Sequence, residues 1–162
     1  MSRADGGPTR DASAVAAQDA AGHVALLNAR FPRHGGDYLF RPGGRREDGE
    51  SPEECPRREL REEAGVTTRT WRPLDFYAII LSSTARVHLY AARDLTPGPQ
   101  ELTPTVVDFE LSWWPMDDAL TAAAEGRFLL PSGPLAQMPA ERETYGRAAP
   151  GGALGSRRSL DE

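Results

Sequence analysis

Residues 44–66 read GRREDGESPEECPRRELREEAGV, and the placing of acids in this stretch decides how the rest of the chain is read. A helix through Arg58 puts Glu59, Glu62 and Glu63 three and four residues apart, so that their carboxylates project from one face. Like charges at that spacing repel by roughly 0.2–0.5 kcal/mol per pair in an isolated helix. A hard divalent cation bound through oxygen offsets that repulsion. Charged helices with interleaved Arg, here Glu53 with Arg57 and Glu54 with Arg58, are ordinarily just solvated faces. The complete pattern argues otherwise: Gly44, five residues, Glu50, seven residues, then Arg-Glu-aliphatic-any-Glu-Glu-any-Gly-aliphatic. With ordinary residue usage its chance occurrence is on the order of 10⁻⁸ per chain.

Local signals set the limits of this helix. Ser51 is the expected N-cap, Pro52 the first helical residue and Glu54 the return half of a capping box, while Gly65 supplies a left-handed stop. Pro56 disturbs the picture, because it has no N–H for the Pro52 carbonyl and its ring crowds that carbonyl. A distorted first turn, or a start nearer Cys55, is expected.

Working outward, residues 1–11 are rich in Gly, Pro and charge and read as a disordered lead-in. Residues 12–18 and 23–30 flank Asp19-Ala20-Ala21-Gly22 and predict a β-hairpin. A short strand at 37–41 ends at Pro42-Gly43-Gly44, and 44–49 is a loop. After the helix, strands are predicted at 67–71, 75–81 and 86–92; the last alternates Val87, Leu89 and Ala91 with Arg86, His88 and Tyr90, the period of a half-buried strand. Residues 95–104 form a loop, 109–115 a strand, 116–125 a helix stopped by Gly126, and a last helix runs from 133 to about 143. From 146 the chain reads as a disordered tail, which leaves one domain over 12–145. Strands on both sides of one central helix, with helices at the end, imply an α+β or α/β sandwich around a mixed sheet.

Composition excludes several classes of function. The formal charge of −5 argues against general nucleic-acid binding, which depends on basic patches. All 19 basic residues are Arg, so a cationic contact to phosphate must come from Arg or a metal. No apolar run approaches a membrane span, the N-terminus lacks a secretory signal core, and the lone Cys55 forms no internal disulfide. A cytoplasmic location is the default expectation.

The stretch 44–66 resembles a complete Nudix box, the signature of the Nudix hydrolases, and a weaker resemblance covers most of the ordered chain. It implies the Nudix fold, an α/β/α sandwich around a mixed β-sheet, and metal-dependent hydrolysis of a nucleoside diphosphate linked to another group. It also implies the Gly43 carbonyl as a metal ligand and an ion pair in which Arg58 holds Glu50 against the helix. Pro56 departs from the family's habit of a small helix former at its position. Beyond the box, the Pro typical of ADP-ribose pyrophosphatases is replaced by Ser82, and the Tyr typical of diadenosine polyphosphate hydrolases by Ser83. The overall layout is nevertheless closest to the ADP-ribose and nucleotide-sugar branch, whose members often form homodimers.

The chemistry also follows from the residues. A pyrophosphate repels an incoming hydroxide, so a catalyst must neutralise phosphoryl oxygens and supply a deprotonated water; divalent metals do both. Mg²⁺, with Mn²⁺ as a substitute, suits carboxylate oxygens and substrate phosphates. Glu59 and Glu63, one turn apart, form the best ligand pair, with Arg58 pointing away from it. Glu62 completes a second metal site or accepts the proton of the attacking water. The family resemblance also implies, in many members, a further carboxylate on a loop distant in sequence; Asp108 and Glu110, just before Trp113 and Trp114, are the candidates for it, and spacing from Trp114 favours Asp108. Phe40, Tyr77, Trp113 and Trp114 offer stacking surfaces for a nucleobase, and Arg30, Arg41, Arg45 and Arg46 offer grips for phosphate or ribose. The expected partner is a small-molecule nucleotide. Two other readings are a sanitising nucleoside triphosphate pyrophosphohydrolase and a non-catalytic Nudix-like ligand sensor, the latter disfavoured by the intact acidic face.

Overall fold

Strands β1 (Ala12–Ala17) and β2 (His23–Phe31) send alternate side chains to two helices on opposite sides, and that alternation organises the computed structural model, which describes residues 10–104 and 108–134. Ala14, Ala16, Val24 and Leu26 pack with Met116, Ala119 and Ala122 of helix α2 (Met116–Ala124). Val15, Ala17 and Ala25 pack instead with Leu60 and Ala64 of helix α1 (Glu54–Ala64). Because both faces are covered, these strands read as continuous apolar runs, and alanine lets the helices approach closely. The fold is the expected α+β sandwich with a mixed sheet.

Two sheets meet at β1 and β2. One is mixed and four-stranded, with β4 (Gly43–Arg45), β1, β6 (Arg86–Pro97) and β5 (Val66–Ala78) in that order; β1 runs parallel to β6 and antiparallel to β4. The other is antiparallel, with β3 (Gly36–Phe40), β2 and β7 (Glu110–Pro115). The turn between β1 and β2 forms as its residues predict: the Asp19 carboxylate accepts the N–H groups of Ala21 and His23 at 3.0 and 2.8 Å, and Gly22 takes φ +83°. The expected hairpin does not extend beyond it. After the Gln18–Val24 bridge the two strands part into different sheets, because each has better partners elsewhere, β1 in β4 and β6, β2 in β3 and β7.

Other boundaries shift for similar reasons. The two strands expected at 67–71 and 75–81 are one strand, β5, with a register shift between Pro73 and Phe76; Ile79, Ile80 and Leu81 lie beyond its end and are exposed. Strand β6 is not half-buried, since Leu89 to Ala92 are buried on both faces, and it continues to Pro97 into the predicted loop because β5 pairs with it that far. Gly43 and Gly44 do not end a strand but form β4. Asp11 is tied down, with its carboxylate 3.1 Å from His88 Nε2 and its carbonyl accepting the Arg46 N–H, so the ordered chain begins before residue 12. Most of the expected lead-in, the last helix beyond Pro134 and the tail from 146 lie outside the described residues. No helix among the described residues is long and apolar enough to cross a membrane.

Candidate functional site

The local chemistry of 51–65 builds α1 as a rigid platform. Ser51 and Glu54 form the reciprocal capping box, with Glu54 N–H donating to Ser51 Oγ at 3.1 Å and Ser51 N–H to Glu54 Oε2 at 2.8 Å. Helical geometry starts at Glu54, so Pro56 falls in the first turn, where an N–H has no intrahelical partner in any case. The Pro52 carbonyl, which Pro56 cannot serve, accepts the Tyr90 hydroxyl at 3.1 Å instead. At the far end Gly65 adopts φ +65° and donates to the Arg61 and Leu60 carbonyls. A Cβ there would also lie 2.4 Å from the Gly98 carbonyl oxygen.

Against this platform the Gly43-Gly44 backbone lies unusually close. A Cβ on Gly43 would stand 2.1 Å from the Ser13 carbonyl oxygen, and one on Gly44 2.5 Å from Glu59 Oε1. The gap between β1 and the acidic face therefore admits only glycine. Glu63 is buried, 4% exposed, and its Oε1 accepts the Gly43 N–H at 3.0 Å. The Gly43 N–H thus links strand and carboxylate, and its carbonyl, which the resemblance implies as a metal ligand, takes no part in this bond. Burial raises the proton affinity of Glu63, a shared hydrogen bond and repulsion from Glu59 raise it further, and the Gly43 N–H partly opposes both. Burial likewise pushes Glu59 up, against the pull of its hydrogen bond with Glu63 and of Arg58.

Arg58 does not point away from the acids. Its Nε donates to Glu50 Oε1 at 2.7 Å and its Nη2 to Glu50 Oε2 at 3.2 Å, a two-pronged pair, while Nη1 donates to Glu59 at 3.0 Å and Glu62 at 3.2 Å. Nη2 also reaches the Arg45 carbonyl at 3.4 Å. The i,i+4 partner expected for it, Glu54, is engaged in the capping box; Glu53 and Arg57 do pair, at 3.3 Å. Hydrogen bonding to Glu50 holds the Arg58 guanidinium well above its ordinary range and the Glu50 carboxyl below its own. Like-charge repulsion on the helix is therefore offset in the protein alone by one guanidinium set among the acids.

Glu59, Glu62 and Glu63 offer only oxygen donors, the chemistry a hard divalent cation prefers, and desolvation of half-buried Glu59 and buried Glu63 disfavours their ionised forms. In donor type the residues fit such a cation. Among the described residues, however, no three His, Cys, Asp or Glu side chains already surround one ion-sized position, because Glu59 and Glu62 are turned toward Arg58.

The other face of Gly43 and Gly44 borders a cleft of about 380 Å³. Its walls bring together Arg10, Phe40, Arg41, Arg45, Tyr77 and Leu130, from stretches far apart in sequence. Arg41 is buried and donates from Nε to the Gly133 carbonyl at 2.9 Å; burial pushes it down to about 10, and it stays cationic at neutral pH. Phe40 reaches the cleft from an aromatic group in which its ring meets Phe31 and Phe109 edge-on at 5.5 and 4.7 Å.

Three singled-out residues lie elsewhere. Arg30 is exposed on β2, 3.9 Å from Asp37, and is not part of the cleft wall. Trp114 packs against the α2 core, donates from Nε1 to the Ser112 hydroxyl at 2.8 Å and carries the Arg127 guanidinium over its ring. Asp108 is exposed in the turn before β7, and among the described residues no hydrogen bond or ion pair joins it to the three glutamates. Arg10 and Gln100, which the sequence reading passed over, are placed by the fold: Arg10 on the cleft wall, and Gln100 at the end of α1, where its amide reaches the Glu63 carbonyl at 2.7 Å. Neither carries a local motif that would have marked it.

The NUDIX domain model matches residues 7–131, most of the chain, and the chain belongs to that family. It is a Nudix hydrolase, and the family works with divalent cations. A solved structure described as that of an ADP compounds hydrolase is similar, with a TM-score of 0.71 and 20% identity over 86% of this chain and 76% of that one, a likeness of fold. No curated protein matches the sequence.

Proposed function

We propose that this chain hydrolyses the pyrophosphate linkage of a nucleoside diphosphate derivative of the ADP-ribose or nucleotide-sugar kind, with Mg²⁺ as its cofactor and Mn²⁺ as a substitute. One observation carries the reading: the Glu59, Glu62 and Glu63 face and an Arg-bearing, partly apolar cleft share a single boundary, Gly43-Gly44. A substrate laid across that boundary has its diphosphate at the acids and the rest of the molecule in the cleft. The chemistry a bound divalent cation supplies is neutralisation of phosphoryl oxygens and activation of water.

Glu59 and Glu63 are the residues to hold the cation, and Glu62 either completes a second site or takes the proton of the attacking water. Asp108 is the second acceptor to consider. The Glu50–Arg58 pair keeps the 44–50 loop against the helix, and Arg58 also bonds Glu59 and Glu62. Arg41, Arg45 and Arg10 supply positive charge around the cleft, and Phe40 and Tyr77 supply surface for a base. The similar fold of an ADP compounds hydrolase favours an adenosine diphosphate derivative over a triphosphate as substrate. We assign the catalytic domain to the expected residues 12–145 extended at its start to include Arg10 and Asp11, working in the cytoplasm, with a homodimer as the form to test.

A Mg²⁺-containing panel assay separates the readings. Cleavage of ADP-ribose or a nucleotide sugar to a nucleoside monophosphate and a phosphorylated sugar is expected. Release of pyrophosphate from a nucleoside triphosphate would overturn the substrate preference. No turnover of any panel member, with nucleotide binding retained, would turn the chain into a ligand sensor.

A further inference from the structure

The segment after β6 is fastened to the last turn of α1. Glu101 donates its backbone N–H to the Glu62 carbonyl at 2.8 Å, and the Gln100 side-chain amide donates to the Glu63 carbonyl at 2.7 Å. Since Gly65 satisfies the Arg61 and Leu60 carbonyls, this distant segment completes the C-terminal end of the helix, at the two residues that bear acids of the candidate metal face. A primary amide carries two N–H donors, and Gln100 directs the second to the Phe109 carbonyl at 3.3 Å. The Phe109 ring meets Phe40, which lines the cleft. One side chain therefore spans from the turn bearing Glu62 and Glu63 to the strand entry that backs the cleft wall. The neighbouring Arg61–Glu101 pair, at 3.8 Å and exposed, contributes little to the attachment.

We propose that Gln100 is a positioning residue: by holding the last turn of α1 to the entry of β7 it fixes Glu62 and Glu63 for metal binding and catalysis. The proposal rests on the reading of Glu59, Glu62 and Glu63 as the metal face. Helix ends fray where their last carbonyls lack partners, and fraying here displaces Glu63 from the Gly43 N–H that orients its carboxylate. The task needs two donors facing two carbonyls. Methionine fills the same space without donors, and an ionised glutamate repels both carbonyls.

The test uses the full chain and two readouts: Mn²⁺ binding followed by electron paramagnetic resonance without substrate, and steady-state kinetics on the best panel substrate. For Gln100→Met the Mn²⁺ dissociation constant and kcat should each worsen roughly tenfold, the scale at which an outer hydrogen bond supports a metal site. KM should stay within about twofold, since neither partner of Gln100, Glu63 or Phe109, itself lines the cleft. Gln100→Glu, which offers acceptors and no donor when ionised, should lose at least as much Mn²⁺ affinity and kcat as Gln100→Met, again at near-constant KM, a split that a general loss of structure would not produce. Unchanged Mn²⁺ affinity and kcat in Gln100→Met would overturn the proposal. If the wild-type chain binds no Mn²⁺, the metal-face reading itself fails, and the proposal with it.

Discussion

The loop and helix at 43–66 differ from the adjoining cleft in how far along the chain their contacts reach. In the first, the bonds that matter close within a short span: Ser51 with Glu54, Glu50 with Arg58, Gly43 with Glu63. In the second, Arg10, Phe40, Tyr77 and Leu130 meet only because β1, β3, β5 and the segment after α2 converge. A locally closed region can be written as a motif. A region assembled over long range leaves no fixed spacing, and here it is the region that must decide which molecule is cleaved.

The largest expected effect falls on the local region. Glu63→Gln should lower Mg²⁺-dependent kcat on the order of 10³-fold while the protein stays folded, measured by steady-state assay beside circular dichroism. Activity close to that of the wild type would remove Glu63 from the metal face. Glu50→Ala comes next: it breaks a two-pronged pair whose side chains are only 11% and 17% exposed, and should cost about 2–3 kcal/mol in denaturant unfolding. A loss below about 0.5 kcal/mol would make the pair an ornament of the surface.

In the cleft, Tyr77→Ala should raise KM roughly fivefold at near-constant kcat, as loss of a stacking surface does. An equal fall in kcat would move Tyr77 from holding the substrate to the reacting atoms. The metal-free protein supplies a further contrast through pH. Glu63 and Glu59 hold protons more tightly folded than unfolded, so the folded state binds more protons above the ordinary Glu range near 4.3, and stability falls as pH rises from there through the raised folded values. Each proton contributes a slope of up to about 1.4 kcal/mol per pH unit, which Glu63→Gln should flatten and added Mg²⁺ should offset in thermal melts. Glu50 has the opposite sign: its depressed value adds stability that is lost only on acidification below the ordinary Glu range. The smallest effect is expected at Trp114→Phe, with KM changed by less than about twofold and about 1 kcal/mol lost with the Ser112 hydrogen bond. A large rise in KM would bring Trp114 back into substrate binding.

Legibility in the sequence followed the same division. The capping box, the Gly65 stop and the common face of Glu59, Glu62 and Glu63 could be read from spacing because helical geometry repeats every few residues. The anomaly at Pro56 was legible too, but not its resolution, since the hydroxyl that serves the Pro52 carbonyl comes from Tyr90, on a strand beyond α1. Arg58 was read as facing away because helix spacing says where its Cα sits, whereas its long side chain curls back to three acids at once. The hairpin of β1 and β2 failed beyond its turn for the converse reason: turn chemistry is local, while sheet partners are chosen among all the strands.

From sequence alone came the family, the class of reaction it implies, and a helix with three acids on one face, each resting on bonds and spacings within a few turns of chain. Only the tertiary structure decided that Gly43 and Gly44 stand between those acids and a cleft, that Arg41 is buried beside it rather than on the surface, and that Gln100 closes the end of the helix. These depend on close approach between segments remote in sequence. Such approach is set by how two sheets and two helices fill one interior, and no residue spacing encodes it.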